Sequence, residues 1–539
     1  MTKITPPVRT ILGGACFLIL VPLLSHFLFS WMGFTPTDEG FTLANSRRIL
    51  DGQVPHRDFI IIRPFFSPLL HLPFVALGGD YTFWLSRLFV WFQLATISWL
   101  WVSIINRLLG WPFSAANAFL LALISFAATT HTKHITAWHT IDGLFFIAIG
   151  LALSIGKHPT AKFAGYFLIA LSALCKQNFV FVAPLSLLIL GDWREIKYWI
   201  AIVLPGLCYV LHLMLAGALP DALVQLSSHT ELLSTGFIRY LNLWVVLAVI
   251  VGYLVLGLSH SRPSANANRW LSIAMFCLLP LLVAAVSLWF GVLATAAFFL
   301  FGLLVSEATH LLNSDSAPPA ELRVVLLVLV TAWSASISAG YNSPALMAGP
   351  ILVALTVHVI LRYKDDSVLR YSIPIAAVMI LLSFGVTRTR FIYRDQPARN
   401  LTKSLAGVLP GARRIYTNPN TFAFMSDLNQ AVDLVKAQNK EYAILPDVAA
   451  YWVNATQENP LPAVWPHAVE LSSEVLMKRF IDSMEARRTN TVLIVQKVEA
   501  KDLASGFVPL ANSDYYEVVR YVRTHFQKTQ ETSYFELYR

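Results

Sequence analysis

The fold of this chain is decided near its N-terminus, where residues 11–59 read ILGGACFLILVPLLSHFLFSWMGFTPTDEGFTLANSRRILDGQVPHRDF. Ile11–Trp31 is apolar and long enough to cross a bilayer, which takes about 20 such residues. Acids and arginines gather directly after this span, between Asp38 and Asp58. A charge costs roughly 2.5–3.5 kcal/mol at the centre of a bilayer, so charged residues collect outside spans. This group is too rich in acids to be only a membrane anchor, and it is the first candidate functional segment.

Composition separates the chain into two parts. Of its 539 residues, 56% are hydrophobic and only 13% are charged, which is typical of a membrane protein. Apolar runs succeed one another to about Arg388, whereas about half of all Asp and Glu residues lie beyond it. We therefore expect a transmembrane domain over residues 1–388 and a soluble domain over 389–539. The net charge of +9 is explained by basic cytoplasmic loops, and no nucleic-acid partner is expected.

The apolar runs predict about thirteen spans, of which the fourth to the sixth are short. They lie at Ile11–Trp31, Tyr81–Ile105, Pro112–Thr129, Gly143–Ile155, Phe163–Cys175, Phe179–Leu190, Tyr198–Ala216, Tyr240–Leu258, Trp270–Phe290, Val292–Val305, Val324–Ala339, Pro350–Leu361 and Ile373–Val386. The basic residues of alternate loops place the N-terminus in the cytoplasm and the C-terminal domain outside. Arg57, Arg63 and Lys176 lie on the outer side against this rule, which indicates an anionic ligand there.

The first outer loop, residues 33–80, is predicted to form two helices. Thr37 or Asp38 can cap a helix that runs to about Leu50 and stops at Asp51-Gly52. The apolar piece Pro64–Leu77 is too short to span and is predicted to lie along the membrane interface.

The C-terminal domain is predicted to be a small α/β domain. Its pattern indicates strands at Glu441–Leu445 and Thr491–Lys497, helices at Phe422–Ala437 and Ser472–Glu485, and a hairpin of Tyr521–Phe526 with Thr532–Tyr538. Its sequence contains no phosphate loop, metal motif or nucleophile elbow. The expected fold class is an α-helical polytopic membrane protein with a small C-terminal α/β domain.

Several motifs together resemble GT-C glycosyltransferases, in particular the bacterial relatives of protein O-mannosyltransferases and of the lipid A aminoarabinose and galacturonic acid transferases. The motifs are Asp38-Glu39-Gly-Phe, Arg47-x-Ile-Leu-x-Gly-Gln-Val-Pro-x-x-Asp58-Phe, Arg63-Pro64, Trp138-His139-Thr-Ile-Asp142 and Cys175-Lys176-Gln177-Asn178. The resemblance covers most of the membrane part, and its most specific piece is the first outer loop. The soluble domain resembles the family only in its placement.

The resemblance implies an inverting enzyme of the bacterial inner membrane that uses a polyprenyl-phosphate monosaccharide as donor on the outer face. The acceptor would be an outer-leaflet lipid or glycan, or a protein. Asp38 matches the first acid of the family and would be the general base, a role typically worth about 10²–10⁴-fold in rate. Glu39 would orient the acceptor or share a metal, and Asp142 matches the second outer acid of the family.

The phosphate leaving group of such a donor needs positive charge placed in advance. Arg57, Arg63, Arg87 and Lys176 are the candidates, because an arginine fork suits phosphate oxygens. Relatives often carry Lys-Pro-Pro where this chain has Arg63-Pro64-Phe65, which keeps the charge and changes the residue.

No cofactor other than the lipid-linked donor is firmly implied, and a divalent cation held by Asp38, Asp142 and His139 is a further candidate. His139, Asp58 and Tyr341 are candidates for acceptor or accessory contacts.

Ordinary structural roles compete with each of these assignments. Asp38 and Asp142 could be helix N-caps, and Glu39 could only favour a helix dipole. Arg57 could pair with Asp58, and Lys176 could snorkel.

Two other functions also fit this class of chain. One is a transporter or flippase of lipid-linked glycans, and the other is a non-catalytic subunit of glycan assembly. A transporter would usually carry charges or Gly/Pro breaks inside its spans. This sequence instead concentrates charge in outer loops, which favours the transferase.

Overall fold

The structure is a computed structural model that describes residues 8–110, 113–131, 134–228, 231–261, 294–313, 319–338, 343–362, 367–510 and 516–539. The predicted span Trp270–Phe290 and the candidate Tyr341 lie outside these described residues.

Helices dominate the first 390 residues. They are α1 (Val8–Phe29), α2 (Asp38–Leu50), α3 (Phe66–Leu77), α4 (Thr82–Leu109), α5 (Ala115–Thr130), α6 (His139–Ser154), α7 (Pro159–Leu171), α8 (Val182–Leu190), α9 (Ile196–Leu215), α10 (Leu219–Ser227), α11 (Glu231–Ile238), α12 (Leu243–Ser261), α13 (Ala294–Leu312), α14 (Pro319–Ser336), α15 (Ala348–Arg362) and α16 (Ser367–Arg390).

Among the described residues, six helical segments are long and apolar enough to cross a membrane, and several shorter apolar helices accompany them. Apolar side chains of α1 face outward, with Leu12, Leu24 and Phe27 at 62%, 59% and 61% exposure. An outward apolar face is stable only in contact with lipid, so the chain is a multi-pass membrane protein. Every other predicted span contains a described helix, but the total of thirteen stays a prediction.

The two helices predicted in the first outer loop are confirmed. Helix α2 begins at Asp38 and ends at Leu50, with Asp51 as its C-cap and Gly52 at φ +86°. Helix α3 covers Phe66–Leu77 and contacts both α2 and α4. The turn at Gly52 requires a left-handed residue, which is why the sequence signal was reliable there.

Within its described residues, the C-terminal region adds three α-helices and six strands. They are β1 (Lys403–Ser404), β2 (Tyr416–Thr417), α17 (Pro419–Lys436), β3 (Glu441–Leu445), α18 (Glu474–Ala486), β4 (Thr491–Gln496), α19 (Glu517–His525), β5 (Lys528–Glu531) and β6 (Phe535–Tyr538). The larger sheet has the order β3-β4-β6-β5, with β3 parallel to β4 and the other pairs antiparallel. Alternate residues of β3 and β4 pack toward α17 on one face and toward α18 and α19 on the other.

One predicted element was wrong. Tyr521–Phe526 is not a hairpin strand, because residues Glu517–His525 form α19. The buried residues of this helix, Val518, Val519 and Val522, recur at helical spacing and pack against the sheet. Valine is β-branched and common in strands, so the sequence suggested a strand instead. The hairpin lies just beyond, between β5 and β6.

Candidate active site

Helix α2 brings the two predicted acids against the C-terminal domain. The hydroxyl of Thr37, the N-cap residue, does not cap the helix but donates to the carbonyl of Asp447, at 2.8 Å. A Cβ on Gly40 would collide with the backbone of Ala450, so only glycine permits this approach. The N-terminus of α2 is therefore fixed by the C-terminal region as well as by the preceding helices.

Asp38 is partly exposed and is held by the segment that follows α16. Its Oδ2 accepts a hydrogen bond from the Tyr393 hydroxyl at 2.9 Å and pairs with Nη1 of Arg394 at 3.0 Å. These two donors orient the Asp38 side chain. Because it is 22% exposed, it is also accessible. Such a carboxylate can accept a proton from a bound hydroxyl group.

Glu39 and Arg87 form a buried ion pair. Arg87 donates through Nε and Nη2 to the two carboxylate oxygens of Glu39, both at 2.8 Å. Its remaining contacts are with the carbonyls of Ser30, Met32 and Gly33. Because these acceptors occupy the donors of the guanidinium, the placement of Arg87 favours a structural role over the predicted phosphate contact. The placement of Glu39 favours the same structural role, as the partner of Arg87.

Lys176 and Arg63 meet near the first turn of α6. The Lys176 ammonium donates to Thr140 Oγ1 at 3.2 Å, and among the described residues it has no carboxylate partner although the residue is 7% exposed. Arg63 pairs through Nη1 with Glu470 at 2.6 Å and acts electrostatically on Lys176. The positive charges of both Arg63 and Lys176 act on the buried ring of His139, whose Nε2 has no hydrogen-bond partner among the described residues.

The N-terminus of α6 adds to this positive region. Its N-cap residue is Trp138, whose side chain has no oxygen with which to cap the helix. The amide groups and dipole of the first turn therefore favour a bound anion, together with Lys176 and Arg63. We call Arg63, His139, Thr140 and Lys176 the cationic cluster.

Phe41 joins Asp38 to the cationic cluster. It lies three residues after Asp38 and so on the same face of α2, about one helical turn away. The Arg63 guanidinium carbon is 5.3 Å from the centre of its ring, and the rings of His139 and Trp465 are 5.9 and 5.7 Å away. One face of α2 thus carries both the acid and an aromatic ring that lies beside Arg63 and His139.

Arg57 and Asp58 form a separate local pair. Arg57 donates to both carboxylate oxygens of Asp58 at 2.9 and 3.0 Å and to the carbonyl of Ala216 at 3.1 Å. Hydrogen bonds from Arg57 lower the pKa of Asp58. Their contacts do not bring either residue to Lys176 or Arg63, so this placement favours the ion-pair interpretation over phosphate or acceptor binding.

Asp142 lies beneath the cationic cluster, fully buried in the first turn of α6. Its Oδ1 lies 3.0 Å from His71 Nε2 of α3 and accepts from Gln93 of α4 at 2.8 Å. Buried polar groups of this kind fix the relative positions of the elements that carry them. Asp142 therefore connects three helices under the site, and its placement supports positioning of α6 more than direct catalysis.

The residues predicted to share a divalent cation do not fit one. Asp38 is engaged by Arg394 and Tyr393, and Asp142 by His71 and Gln93. Within the described ranges no group of three or more His, Cys, Asp or Glu side chains is placed to hold a metal ion. We derive no step that uses a metal.

The structure adds contributors that the sequence prediction missed, namely His71, Tyr393, Arg394, Trp465 and Glu470. Only two had a usable signal. His71 is the one polar ring in an otherwise apolar helix, and Arg394 continues a basic run that begins at Arg388. Trp465 and Glu470 come from a loop about 400 residues beyond their partners, which no local pattern reveals.

Comparison with known proteins gives a distant structural likeness. No protein-family model matches the chain, and no curated protein does. Among solved structures it is similar to the crystal structure of ArnT from Cupriavidus metallidurans bound to undecaprenyl phosphate, at 12% identity and a TM-score of 0.42. The alignment covers 99% of this chain and 98% of that one. A likeness of this degree assigns no role to any residue of the chain.

Proposed function

We propose that this protein is an integral membrane glycosyltransferase that moves a sugar from a polyprenyl-phosphate monosaccharide to an outer-leaflet lipid, glycan or protein acceptor. One arrangement carries the proposal: an accessible, oriented carboxylate lies on the face of α2 that carries Phe41, and the Phe41 ring lies beside Arg63 and His139 of the buried cationic cluster. An inverting transfer needs a base at one side of the sugar and positive charge at the leaving group on the other.

The cationic cluster would hold the donor phosphate. Lys176 is a buried ammonium without a counter-ion among the described residues, and burial of an unpaired charge is costly unless a ligand completes it. Arg63 uses Nη1 for Glu470, which leaves the rest of its fork for phosphate oxygens.

Asp38 would act as the general base. It takes the proton of the acceptor hydroxyl while that oxygen forms a bond to the anomeric carbon. The bond from this carbon to the phosphate oxygen breaks, and polyprenyl phosphate leaves with the bonding electrons. The face of Phe41 offers the apolar surface against which the C–H groups of a sugar ring can pack.

An apolar groove supports a lipid-linked donor. It runs between α1, α3 and α4, and its lining includes Leu18, Pro22, Phe74, Leu88 and Phe89. Helix α3 links this groove to the base of α6 through the contact of His71 with Asp142. A polyprenyl chain would bury apolar surface there.

The test uses the purified chain in lipid nanodiscs, where no compartment exists to transport across. It is mixed with polyprenyl-linked sugars and envelope acceptors extracted from cells that lack the protein, and the products are followed by mass spectrometry. We expect one acceptor to gain a sugar mass while free polyprenyl phosphate appears. Unchanged lipids in nanodiscs, together with donor accumulation in the deficient cells, would instead support a flippase.

Replacing Lys176 with Met tests the phosphate site. The substitution keeps the apolar stem and removes the ammonium, and we expect kcat/KM for the donor to fall by about 10²-fold. Initial rates over a range of donor concentrations measure this loss. Lys197→Met is the matched control, because that lysine is exposed at the start of α9 beside Glu195. A normal donor kcat/KM in Lys176→Met would remove Lys176 from the phosphate site.

A further inference from the structure

The segment between α16 and the C-terminal domain, Tyr393–Asp395, is attached at both ends. Tyr393 and Arg394 hold Asp38, as described above, and Asp395 is buried within the soluble domain. Asp395 accepts hydrogen bonds from Thr417 and Asn418, both at 2.6 Å, and from the amide of Phe34 at 2.9 Å. Three consecutive residues therefore connect the soluble domain to the residues around the proposed base.

The backbone and the rings of this segment are also constrained. Arg394 has φ +51°, a left-handed conformation that a residue with a side chain adopts only when its surroundings impose it. The Tyr393 ring stacks on His134 at 4.1 Å, and the Arg394 guanidinium lies 5.2 Å from the centre of that tyrosine ring. The two donors therefore reach Asp38 from a segment that is itself held by contacts on both sides.

A second part of the soluble domain reaches the other side of the site. The loop that carries Glu470 is attached to the first outer loop where Ile60 N donates to Pro462 O at 2.6 Å, and Arg48 donates to Leu461 O at 2.8 Å. The Glu470 side chain is 3% exposed and pairs with Arg63. If Arg63 moved away to bind phosphate, the buried Glu470 carboxylate would lose its counter-ion, which is costly. Glu470 therefore fixes the position of Arg63 and does not merely occupy the place of a phosphate.

We infer that the C-terminal domain is a working part of the active site, in which Tyr393 and Arg394 position the base and Glu470 positions the phosphate-binding arginine. The inference rests on the proposed function. It gives these three residues separable kinetic effects, because one pair acts on the proton transfer and the other residue on the donor.

The experiment compares Arg394→Ala, Arg394→Lys and Tyr393→Phe with the wild-type protein in the nanodisc assay. A catalytic group displaced by about 1 Å can lose on the order of 10²-fold in rate. We expect Arg394→Ala to lower kcat by about 10–100-fold with donor KM within about twofold, Arg394→Lys to recover part of this loss, and Tyr393→Phe to have a smaller effect in the same direction. Arg399→Ala is the control, since Arg399 is exposed and lies four residues beyond this segment.

Glu470→Gln tests the second part of the inference, that Glu470 positions the phosphate-binding arginine. Removing one charge-assisted hydrogen bond should raise donor KM by about tenfold while kcat changes little. Glu536→Gln is its control, because Glu536 forms an ion pair with Arg523 in the same domain, on strand β6. The thermal midpoint of each variant is measured alongside, so that a folding defect is recognised by a parallel loss in kcat and yield.

The two levels of the proposal fail differently. Absence of sugar transfer by the wild-type protein would overturn the proposed function, and full activity of Asp38→Asn would overturn the proposed base. An inactive Asp38→Asn protein combined with normal kcat in both Arg394→Ala and Tyr393→Phe, or normal donor KM in Glu470→Gln, would overturn the positioning roles alone. A drop in kcat that Arg394→Lys does not relieve, with a lowered thermal midpoint, would assign Arg394 to stability and also overturn its positioning role.

Discussion

Asp38→Asn is expected to lower kcat for sugar transfer by about 10²–10⁴-fold while donor KM stays near the wild-type value. The amide keeps the size of the side chain and its oxygen can still accept from Tyr393 or Arg394. It cannot accept a proton at neutral pH, so only the base is lost. The measurement is initial-rate kinetics in nanodiscs, with binding of the donor measured separately.

The control for this prediction is Asp80→Asn. Asp80 precedes α4, its side chain is 75% exposed, and Arg413 is 3.7 Å away. The same chemical change there should leave kcat unaffected. If Asp38→Asn transferred sugar at the wild-type rate, the carboxylate would be only a partner of Arg394, and another group would have to accept the proton.

Arg87→Met is expected to destabilise the protein by about 3–5 kcal/mol, because it leaves Glu39 buried without a partner. The substitution also removes the donors to the carbonyls of Ser30 and Gly33. These two residues lie in the segment that joins α1 to α2. The measurement is the thermal loss of the monodisperse protein in detergent, compared with the wild type. Arg47→Met is the control, since the Arg47–Asp51 pair is more exposed and should contribute less than about 1 kcal/mol.

The double substitution Arg87→Met with Glu39→Gln separates an ion pair from a catalytic role. Removing both charges should restore part of the lost stability, because no isolated charge then remains buried. If the double variant were as unstable as the sum of the single ones, the two side chains would not act as a pair. If Arg87→Met kept its stability and raised donor KM, Arg87 would return to the phosphate site.

The outer-loop helices could be predicted to within two residues because their signals are local. Asp51-Gly52 ends α2 through a backbone conformation that glycine alone adopts freely, and the length of Pro64–Leu77 excludes a span. The helical conformation of α19 could not be predicted, since valines at positions 518, 519 and 522 suit a strand as readily as a helix. The packing of α19 on the sheet decided between these alternatives.

The partners of the candidate site were beyond the sequence for a different reason. Five cations in the first two hundred residues cannot be distinguished by sequence alone. In the structure, Arg87 pairs with Glu39, Arg57 pairs with Asp58, and Arg48 donates to Gln53. Lys176, by contrast, has no acidic partner within the described chain. The fifth, Arg63, is held by a glutamate 407 positions away. Charge predicts that an anion is needed, but only proximity shows which cations already have carboxylate or hydrogen-bond partners.

By itself, the sequence determined that the chain crosses a membrane repeatedly, that a charged loop follows its first span, and that strands and helices alternate in its C-terminal region. These follow from hydropathy, turn chemistry and local periodicity, which act over a few residues. The tertiary structure decided that Asp38 is oriented by Tyr393 and Arg394, that Asp142 supports α6 from below, and that the C-terminal domain reaches both sides of the site. Those contacts join residues far apart in the chain, and their geometry depends on how whole helices and domains pack.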